Sequence, residues 1–114
     1  MSTMTKDTYK LLQEIAGIKF TIREIDIISC ILHNRGDKKI ATLLSIAPKT
    51  VEAHSRNIMA KLNCNSKESI IDFIEKTGKL AYFRQFYNQL LIQNCFEKYL
   101  RKIANINKGE IVYE

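Results

Sequence analysis

The sequence predicts an all-helical fold, and three observations support this. Glycine and proline are scarce, at four and one in 114 residues. Apolar residues recur three and four positions apart along most of the chain, which is the period of one helix face. The single run with the alternation of a β-strand is EIVYE at the C-terminus. With 46% hydrophobic residues, the chain is long enough for one compact core with appendages and too short for two ordinary domains.

The N-terminal part, residues 1–19, is predicted to be a helical appendage. Its helix reads TKDTYKLLQEIAGI, begins at a cap formed by Thr5 or Asp7, and stops at Gly17. The apolar residues on one side of this helix are Tyr9, Leu12, Ile15 and Ala16. This side is expected to pack against the rest of the protein.

The second predicted helix spans about residues 22–33 and has a capping box at its start. Thr21 lies at the cap position and Glu24 follows three residues later, so each side chain can bond the backbone amide of the other residue. One face at the helical period consists of Ile22, Ile25, Ile28, Ser29 and Leu32. Because Ile27 and Ile31 point elsewhere, the helix is expected to be covered on more than one side.

A short third helix, DKKIATLLS, is separated from the second by a turn. Asn34 and Gly36 end the second helix, since both residue types tolerate left-handed backbone geometry. The inward side chains of the short helix are Ile40, Leu43 and Leu44. The turn IAP follows, and Pro48 is predicted at the first position of the next helix, where its missing N–H would be unpaired anyway.

The next helix, residues 49–62, reads KTVEAHSRNIMAKL and has two distinct sides. At about 100° per residue, its buried side consists of Val51, Ser55, Ile58 and Leu62. The opposite side consists of Lys49, Ala53, Arg56 and Ala60. Glu52 and Met59 flank one edge, and Thr50, His54, Asn57 and Lys61 flank the other. Because Ala53 and Ala60 have small side chains, this side of the helix can approach another surface closely.

A short helix, a tight turn and a second amphipathic helix with small and basic residues outward form a helix-turn-helix, whose second helix enters the DNA major groove. Arginine can bond guanine, glutamate can accept from cytosine and alanine can touch the thymine methyl, so the predicted base readers are Glu52, Ala53 and Arg56. The side chains placed to hold phosphates are Lys49, Thr50, His54, Asn57 and Lys61. A helical bundle with a solvated basic face is the alternative that geometry alone leaves open.

The charge distribution agrees with an acidic partner. The formal net charge is +6. Residues 33–61 carry six basic and two acidic side chains, a net +4, and residues 79–108 carry six basic and one acidic, a net +5. Two basic regions therefore flank a nearly neutral segment. The net charge by itself predicts only weak attraction to acidic partners, and the basic side chains of residues 79–108 are expected mainly to be solvated cover over an apolar helix.

Three motifs stand in and around these helices. FTIRE runs from Phe20 to Glu24, KKIATLL from Lys38 to Leu44, and KTVEAHSRNIMAKL from Lys49 to Leu62. Together they resemble the LuxR-type helix-turn-helix domain of bacterial transcription regulators, over about residues 20–77. The recognition-helix motif is highly specific, so the resemblance strongly favours DNA binding over a solvated bundle.

The resemblance implies a four-helix domain, residues 20–78, whose third helix lies in the major groove. It implies that the fourth helix, SKESIIDFIEKTG, pairs two copies of the domain. The positions implied to face bases are Glu52, Ala53 and Arg56. Backbone contacts are implied for Lys49, Thr50 and Lys61, to which we add Lys38 of the basic short helix. No metal or other cofactor is expected.

The chain departs from the family pattern at three positions. Asn34 stands where the family usually has glycine, and asparagine also enters the left-handed region. Lys39 replaces a usual glutamate, which makes the DNA side more basic. Ala47 replaces a usual serine at the cap of the recognition helix and so removes a side-chain hydrogen bond worth ~1 kcal/mol. The amide that this side chain would have bonded is left free for a phosphate.

The C-terminal extension, residues 79–114, is predicted to be helical with two apolar faces. The first half places on one face Leu80, Phe83, Tyr87, Leu90 and Leu91. The second half places roughly opposite Ile92, Phe96, Leu100 and Ile103. We expect the first face to pack on its own domain and the second on another copy or another protein. The alternative is a break near Gln93 or Asn94, after which both halves fold back on the same chain.

An enzyme is not expected. Cys30 and His33 are three residues apart on a helix, but no second ligand pair has suitable spacing, and no glycine-rich phosphate loop occurs. His54 lacks the nucleophile and orienting acid that a general base requires.

The three cysteines form no CxxC and are expected to be reduced thiols. No segment reads as a signal peptide or membrane helix, so a bacterial cytoplasmic protein is expected.

The predicted function is that of a sequence-specific, dimeric DNA-binding transcription regulator. Double-stranded DNA, a second copy, and RNA polymerase or a regulatory protein are the expected partners. Since only 19 residues precede the domain, control is expected from abundance, a partner, or parts outside this sequence. The alternative is a protein-interaction module that keeps the helix-turn-helix scaffold, for instance an antagonist of a longer regulator.

Overall fold

The computed structural model describes residues 9–105, which are almost entirely helical. After a helical segment at residues 9–12, the elements are β1 (Glu14–Ile15), β2 (Ile18–Lys19), α1 (Ile22–Leu32), α2 (Asp37–Leu44), α3 (Pro48–Leu62), α4 (Lys67–Thr77) and α5 (Leu80–Asn105). The predicted all-α fold, with a four-helix domain followed by a long helix, is confirmed. Within the described part of the chain, the one addition is a two-stranded ribbon.

This ribbon corrects the predicted N-terminal helix, which ends at residue 12 instead of continuing to a stop at Gly17. The strands pair antiparallel through Glu14 with Lys19 and Ile15 with Ile18. The turn residues Ala16 and Gly17 have φ of 52° and 82°, as a tight two-residue hairpin requires. Gly17 is therefore a hairpin residue and not a helix stop. The hairpin directs Ile15 into the core and leaves Ala16 exposed, while the proposed caps Thr5 and Asp7 lie outside the described residues.

Helix α1 is the central element of the fold. The capping box is confirmed, because the Glu24 amide donates to Thr21 Oγ1 (3.1 Å) and the Thr21 amide donates to Glu24 Oε1 (2.9 Å). Every residue from 24 to 31 is buried, and α1 packs against α3, α4 and α5, so the prediction of cover on several sides is confirmed. Ile22 was predicted inward, but its side chain is half exposed, since it is the first residue of the helix and the buried stretch begins only at Glu24.

The turns on either side of α2 differ from the prediction at two residues, Gly36 and Ser45. Asn34 is left-handed (φ 58°), as expected, but Gly36 has φ −79° and is the N-cap of α2. Ser45, predicted in the helix, instead takes the left-handed C-cap position (φ 57°). Pro48 occupies the first turn of α3, and Ala47 is the N-cap without a side-chain hydrogen bond, as predicted.

Helix α5 is one continuous helix of 26 residues, so the alternative of a break near Gln93 or Asn94 is wrong. Its first half packs on its own domain and buries Phe83, Phe86 and Tyr87. Phe86 was absent from the predicted face because it lies at the edge of the apolar stripe. The N-terminal segment covers that edge, where the Tyr9 and Phe86 rings meet edge to face with centroids 4.7 Å apart.

Within residues 9–105, no helix is long and apolar enough to cross a membrane.

Candidate nucleic-acid interface

Helix α3 has one side in the core and one side in solvent. Its buried residues are Val51, Ser55 and Ile58, with Leu62 half-buried, as the helical period predicted. The Ser55 hydroxyl is buried without a hydrogen-bond partner in the described part of the chain. The apolar contacts of Val51 and Ile58 with α1 and α2 therefore hold the helix in place.

The opposite side of α3 is an open polar surface. Its exposed residues are Lys49, Thr50, Glu52, Ala53, Arg56, Asn57, Ala60 and Lys61, and His54 is half-buried at the edge. The side chains of Arg56 and Glu52 are 69% and 55% exposed. The candidates placed on α3 by the sequence therefore share one helix, and most of them are open to a partner.

Two of the candidate base readers contact each other. Arg56 Nη1 lies 3.9 Å from Glu52 Oε2, four residues apart on the helix. An exposed pair of this kind contributes only ~0.3 to 0.5 kcal/mol. It is weak enough to separate when either side chain finds a better partner.

The first turn of α3 lacks a side-chain cap. The Ala47 carbonyl accepts from the amides of Thr50 (3.0 Å) and Val51 (3.1 Å), but Ala47 has no side-chain oxygen to bond the first-turn amides. Lys49 is exposed in the same turn. Helix N-termini of this kind attract anions through their free amides and the helix dipole.

Lys61 has a different environment from the other candidates. Its Nζ donates to Glu24 Oε1 (2.6 Å) and to the Lys19 carbonyl (2.9 Å), and lies 5.7 Å from the Phe20 ring centroid. The side chain of Glu24 is only 4% exposed. Lys61 thus ties the C-terminal part of α3 to the capping box of α1.

Lys38 lies on α2, away from the other candidates in sequence. In the basic region of residues 33–61, the exposed lysines that take part in no salt bridge within the described residues are Lys38, Lys39 and Lys49. Lys67 pairs with Asp37 (Nζ to Oδ1, 2.9 Å), which joins α4 to the first turn of α2.

Arg35 is one of the six basic residues of region 33–61, and it makes a structural contact that the sequence did not reveal. Its Nε donates to the Tyr87 hydroxyl (2.7 Å), and Tyr87 stacks on the His33 ring with centroids 3.9 Å apart. This cluster attaches the turn after α1 to α5. Because 52 residues separate Arg35 from Tyr87, no local sequence signal could have indicated the contact.

A buried carboxyl group, that of Asp26, lies on α1. Asp26 accepts from the Tyr9 hydroxyl (2.9 Å) and pairs with Arg23 (3.2 Å). Burial raises the pKa of Asp26 to about 6, although the Tyr9 hydrogen bond and the Arg23 charge oppose the rise. Burial and the neighbouring Asp26 charge raise the pKa of Tyr9 above its ordinary value. The contacts of Asp26 with Tyr9 join the N-terminal segment to α1.

Burial also raises the pKa of Cys30 to about 12, so this thiol is neutral and serves as a packing group. All three cysteines are free. In the part of the chain that the structure describes, no group of three or more His, Cys, Asp or Glu side chains is arranged to hold a metal ion.

Comparison with known proteins identifies the helix-turn-helix region. Residues 19–74 match the family described as bacterial regulatory proteins, luxR family. The chain is 36% identical over 78 residues to the oxygen regulatory protein NreC of Staphylococcus carnosus, a match that covers 68% of this chain and 32% of that protein. NreC proteins of Staphylococcus aureus strain bovine RF122 and Staphylococcus epidermidis strain ATCC 12228 are 35% identical with the same coverage.

The chain thus corresponds to about a third of the length of the curated relatives that it matches. No solved structure gives a significant match. The family match includes α1, α2 and α3 and most of α4. Residues 19–74 therefore belong to the LuxR family of bacterial regulatory proteins, and they form its helix-turn-helix domain.

Proposed function

We propose that this protein is a DNA-binding transcription regulator that inserts α3 into the major groove. The observation that carries the proposal is the outward side of α3, which combines exposed cations, an exposed carboxylate and small residues on a helix anchored by Val51 and Ile58. The LuxR-family match supports the same role. Because the match to the NreC proteins covers only about a third of their length, we propose the DNA-binding role and not the oxygen response named for them.

Three residues are proposed to read bases. Arg56 can donate two hydrogen bonds to guanine N7 and O6, Glu52 can accept from cytosine N4, and Ala53 can contact a thymine methyl. Their exposure on one helix supports this assignment, and the weak Glu52–Arg56 pair would pre-orient both side chains along the helix. Sequence preference would then be concentrated at a few base pairs beneath the middle of α3.

The remaining candidates are proposed to hold phosphates: Lys38, Lys49, Thr50, His54, Asn57 and Lys61. Lys49 and Thr50 lie in the uncapped first turn. A phosphate there would also accept from the Lys49 amide, since Pro48 has no N–H and the Thr50 amide donates to the Ala47 carbonyl (3.0 Å). Lys61 has three ammonium donors, of which two are used by Glu24 and Lys19. We propose that it positions α3 and has one donor left for the DNA backbone.

Binding as a dimer to a two-fold site is part of the proposal, since helix-turn-helix dimers read two half-sites about one helical turn apart. Such a regulator acts at the chromosome and hence in the bacterial cytoplasm. RNA polymerase or a regulatory protein would be a further partner.

A second candidate function is a protein-interaction module that has kept the helix-turn-helix scaffold. The exposed apolar side of α5 favours it, because Ile92, Phe96 and Tyr99 are each more than half exposed. The two functions make different demands on α3, since only DNA binding requires its outward side chains.

The experiment that separates them selects bound duplexes from a random pool at physiological salt and then measures affinity for the enriched site. Replacing Arg56 by Ala should reduce specific affinity ~5- to 150-fold, equivalent to ~1 to 3 kcal/mol, and relax the preference at one base position. Arg84→Ala removes the same charge from an exposed position on α5 and is the matched control. No enrichment by the wild type, or equal binding by the Arg56 variant, would favour the interaction module.

A further inference from the structure

We propose that the outer half of α5 is a self-association surface whose occupant is the same surface of a second copy. The surface, called here the α5 seam, consists of Ile92, Phe96, Tyr99 and Ile103. The inference deepens the proposed function by naming the partner that would pair two reading helices. It rests on the proposed function only where it predicts that the dimer binds a two-fold DNA site.

The α5 seam is unusually exposed for its composition. Ile92, Phe96 and Tyr99 are 57%, 59% and 60% exposed, and the adjacent Leu100 is 47% exposed. Four of the seven exposed large hydrophobic side chains in the described part of the chain therefore lie within nine residues. Together with Leu91 and Cys95, three seam residues line one continuous apolar surface. A concentration of this kind indicates an interaction site, whereas isolated exposed apolar residues do not.

The seam lies on the side of α5 that faces away from its own domain. Phe83, Phe86 and Tyr87 are buried against the domain, and Asn94 Nδ2 donates to the Leu43 carbonyl (3.3 Å). At about 100° per residue, the seam is roughly opposite this inward side. Because α5 continues without a break to Asn105, its outer half does not fold back to cover the seam.

The spacing of the seam matches a helix partner. Its residues follow one another at intervals of four, three and four, which is the a/d pattern of a coiled coil. Such a row packs knobs into holes against a second helix with the same spacing. An identical chain supplies that second helix, and a two-fold contact pairs the same patch with itself.

Charge permits this self-pairing. The positions that flank the seam in the heptad pattern are Gln93, Cys95, Leu100 and Lys102, of which only the lysine is charged. Lys98 and Arg101 point well away from the seam at the helical period. Two seams can therefore meet without placing rows of like charges against each other.

The size of the seam predicts a weak dimer. Two copies would together bury roughly 1,000 Å² of surface, the lower end for a specific interface. Without DNA we therefore expect the dimer to have a dissociation constant in the micromolar range. The two copies should associate more tightly on a two-fold DNA site, where both α3 helices bind DNA.

The test is sedimentation of the full chain over a range of concentrations up to tens of micromolar. Wild type should show a monomer–dimer equilibrium, and the double variant Phe96→Ser and Tyr99→Ser should weaken dimerisation at least tenfold. Tyr82→Ser removes an exposed aromatic side chain from the same helix outside the seam, so it should dimerise like wild type. Circular dichroism checks that each variant remains helical.

Two results would overturn the inference: the wild type could remain a monomer throughout, or the seam double variant could dimerise like wild type. If the wild type is a monomer and Ile111→Ser with Val112→Ser makes it dimerise, the chain's own C-terminal residues occupy the seam. Affinity for a single half-site is measured in parallel. A monomer that binds the half-site contradicts this inference and leaves the proposed DNA-binding role of α3 intact, whereas a seam-dependent dimer that binds no DNA contradicts the proposed DNA-binding role and leaves this inference intact.

Discussion

Helix α3 and the outer half of α5 both present an open side, but the two sides differ in chemistry. The open side of α3 carries lysine, arginine, glutamate and small residues, whereas that of α5 carries isoleucine, phenylalanine, tyrosine and leucine. Protein–DNA interfaces are polar and positively charged, while the centres of protein–protein interfaces lack charge and are rich in aromatic residues. The composition of an uncovered helix side therefore indicates the class of its partner.

The largest expected effect compares the two halves of α5. Phe86 is 1% exposed and packs on Tyr9, whereas Phe96 is 59% exposed. We expect Phe86→Ala to lower the free energy of unfolding by ~3 to 5 kcal/mol, because it removes buried apolar contacts. Phe96→Ala should change the stability of the monomer by no more than ~0.5 kcal/mol. Urea denaturation at low protein concentration measures both, and equal losses would contradict the separation of α5 into buried and open halves.

A pH effect is expected at Asp26, which is buried on α1. Its pKa is raised by burial from 3.8 to about 6, so the folded protein binds a proton more tightly than the unfolded chain. Between these values the native state holds more protons, and the contribution of Asp26 to stability falls as the pH rises, by up to ~3 kcal/mol. This loss is complete above about pH 6.

Asp26→Asn should remove that pH dependence, because an amide does not titrate in this range. The measurement is the difference in unfolding free energy between wild type and variant at several pH values from 4 to 7. A constant difference would show that Asp26 ionises in the folded protein as it does in the unfolded chain.

A smaller effect distinguishes two lysines on α3. Lys61→Ala leaves the buried Glu24 carboxylate without its ammonium partner, so we expect a loss of ~1 to 3 kcal/mol in unfolding free energy. Lys49→Ala should leave the free energy of unfolding within ~0.5 kcal/mol of the wild-type value. It should reduce the slope of the logarithm of the DNA-binding constant against the logarithm of salt concentration by about one. Thermal unfolding and salt titrations measure the two properties. A large stability loss in the Lys49 variant would mean that α3 does not divide into anchoring and reading residues.

The features that the sequence predicted correctly depend on neighbouring residues. The capping box of Thr21 and Glu24, the proline in the first turn of α3, and the buried side of α3 follow from spacings of three or four positions. Asn34 was recognised as left-handed for the same reason, because its conformation is a local property. The roles of Glu52, Ala53 and Arg56 at bases stay predictions that the Arg56 variant tests.

The features that the sequence did not predict depend on distant contacts. Lys61 reaches Glu24 across 37 positions, and Arg35 reaches Tyr87 across 52. The hairpin at Ala16 and Gly17 replaced a predicted helix even though the local apolar spacing fits a helix. The first two contacts join residues that are far apart in sequence, and in the third case the left-handed conformations of Ala16 and Gly17 form a turn that the apolar spacing does not reveal.

The sequence by itself determined the helical class, the helix-turn-helix order and the chemical character of both open sides, because these follow from residue type and periodicity. Only the tertiary structure decided that α5 is unbroken, that Phe86 is covered by Tyr9, and that Lys61 anchors α3. The physical reason is that periodicity identifies which residues share a side of a helix. What covers that side depends on how separate elements pack around α1.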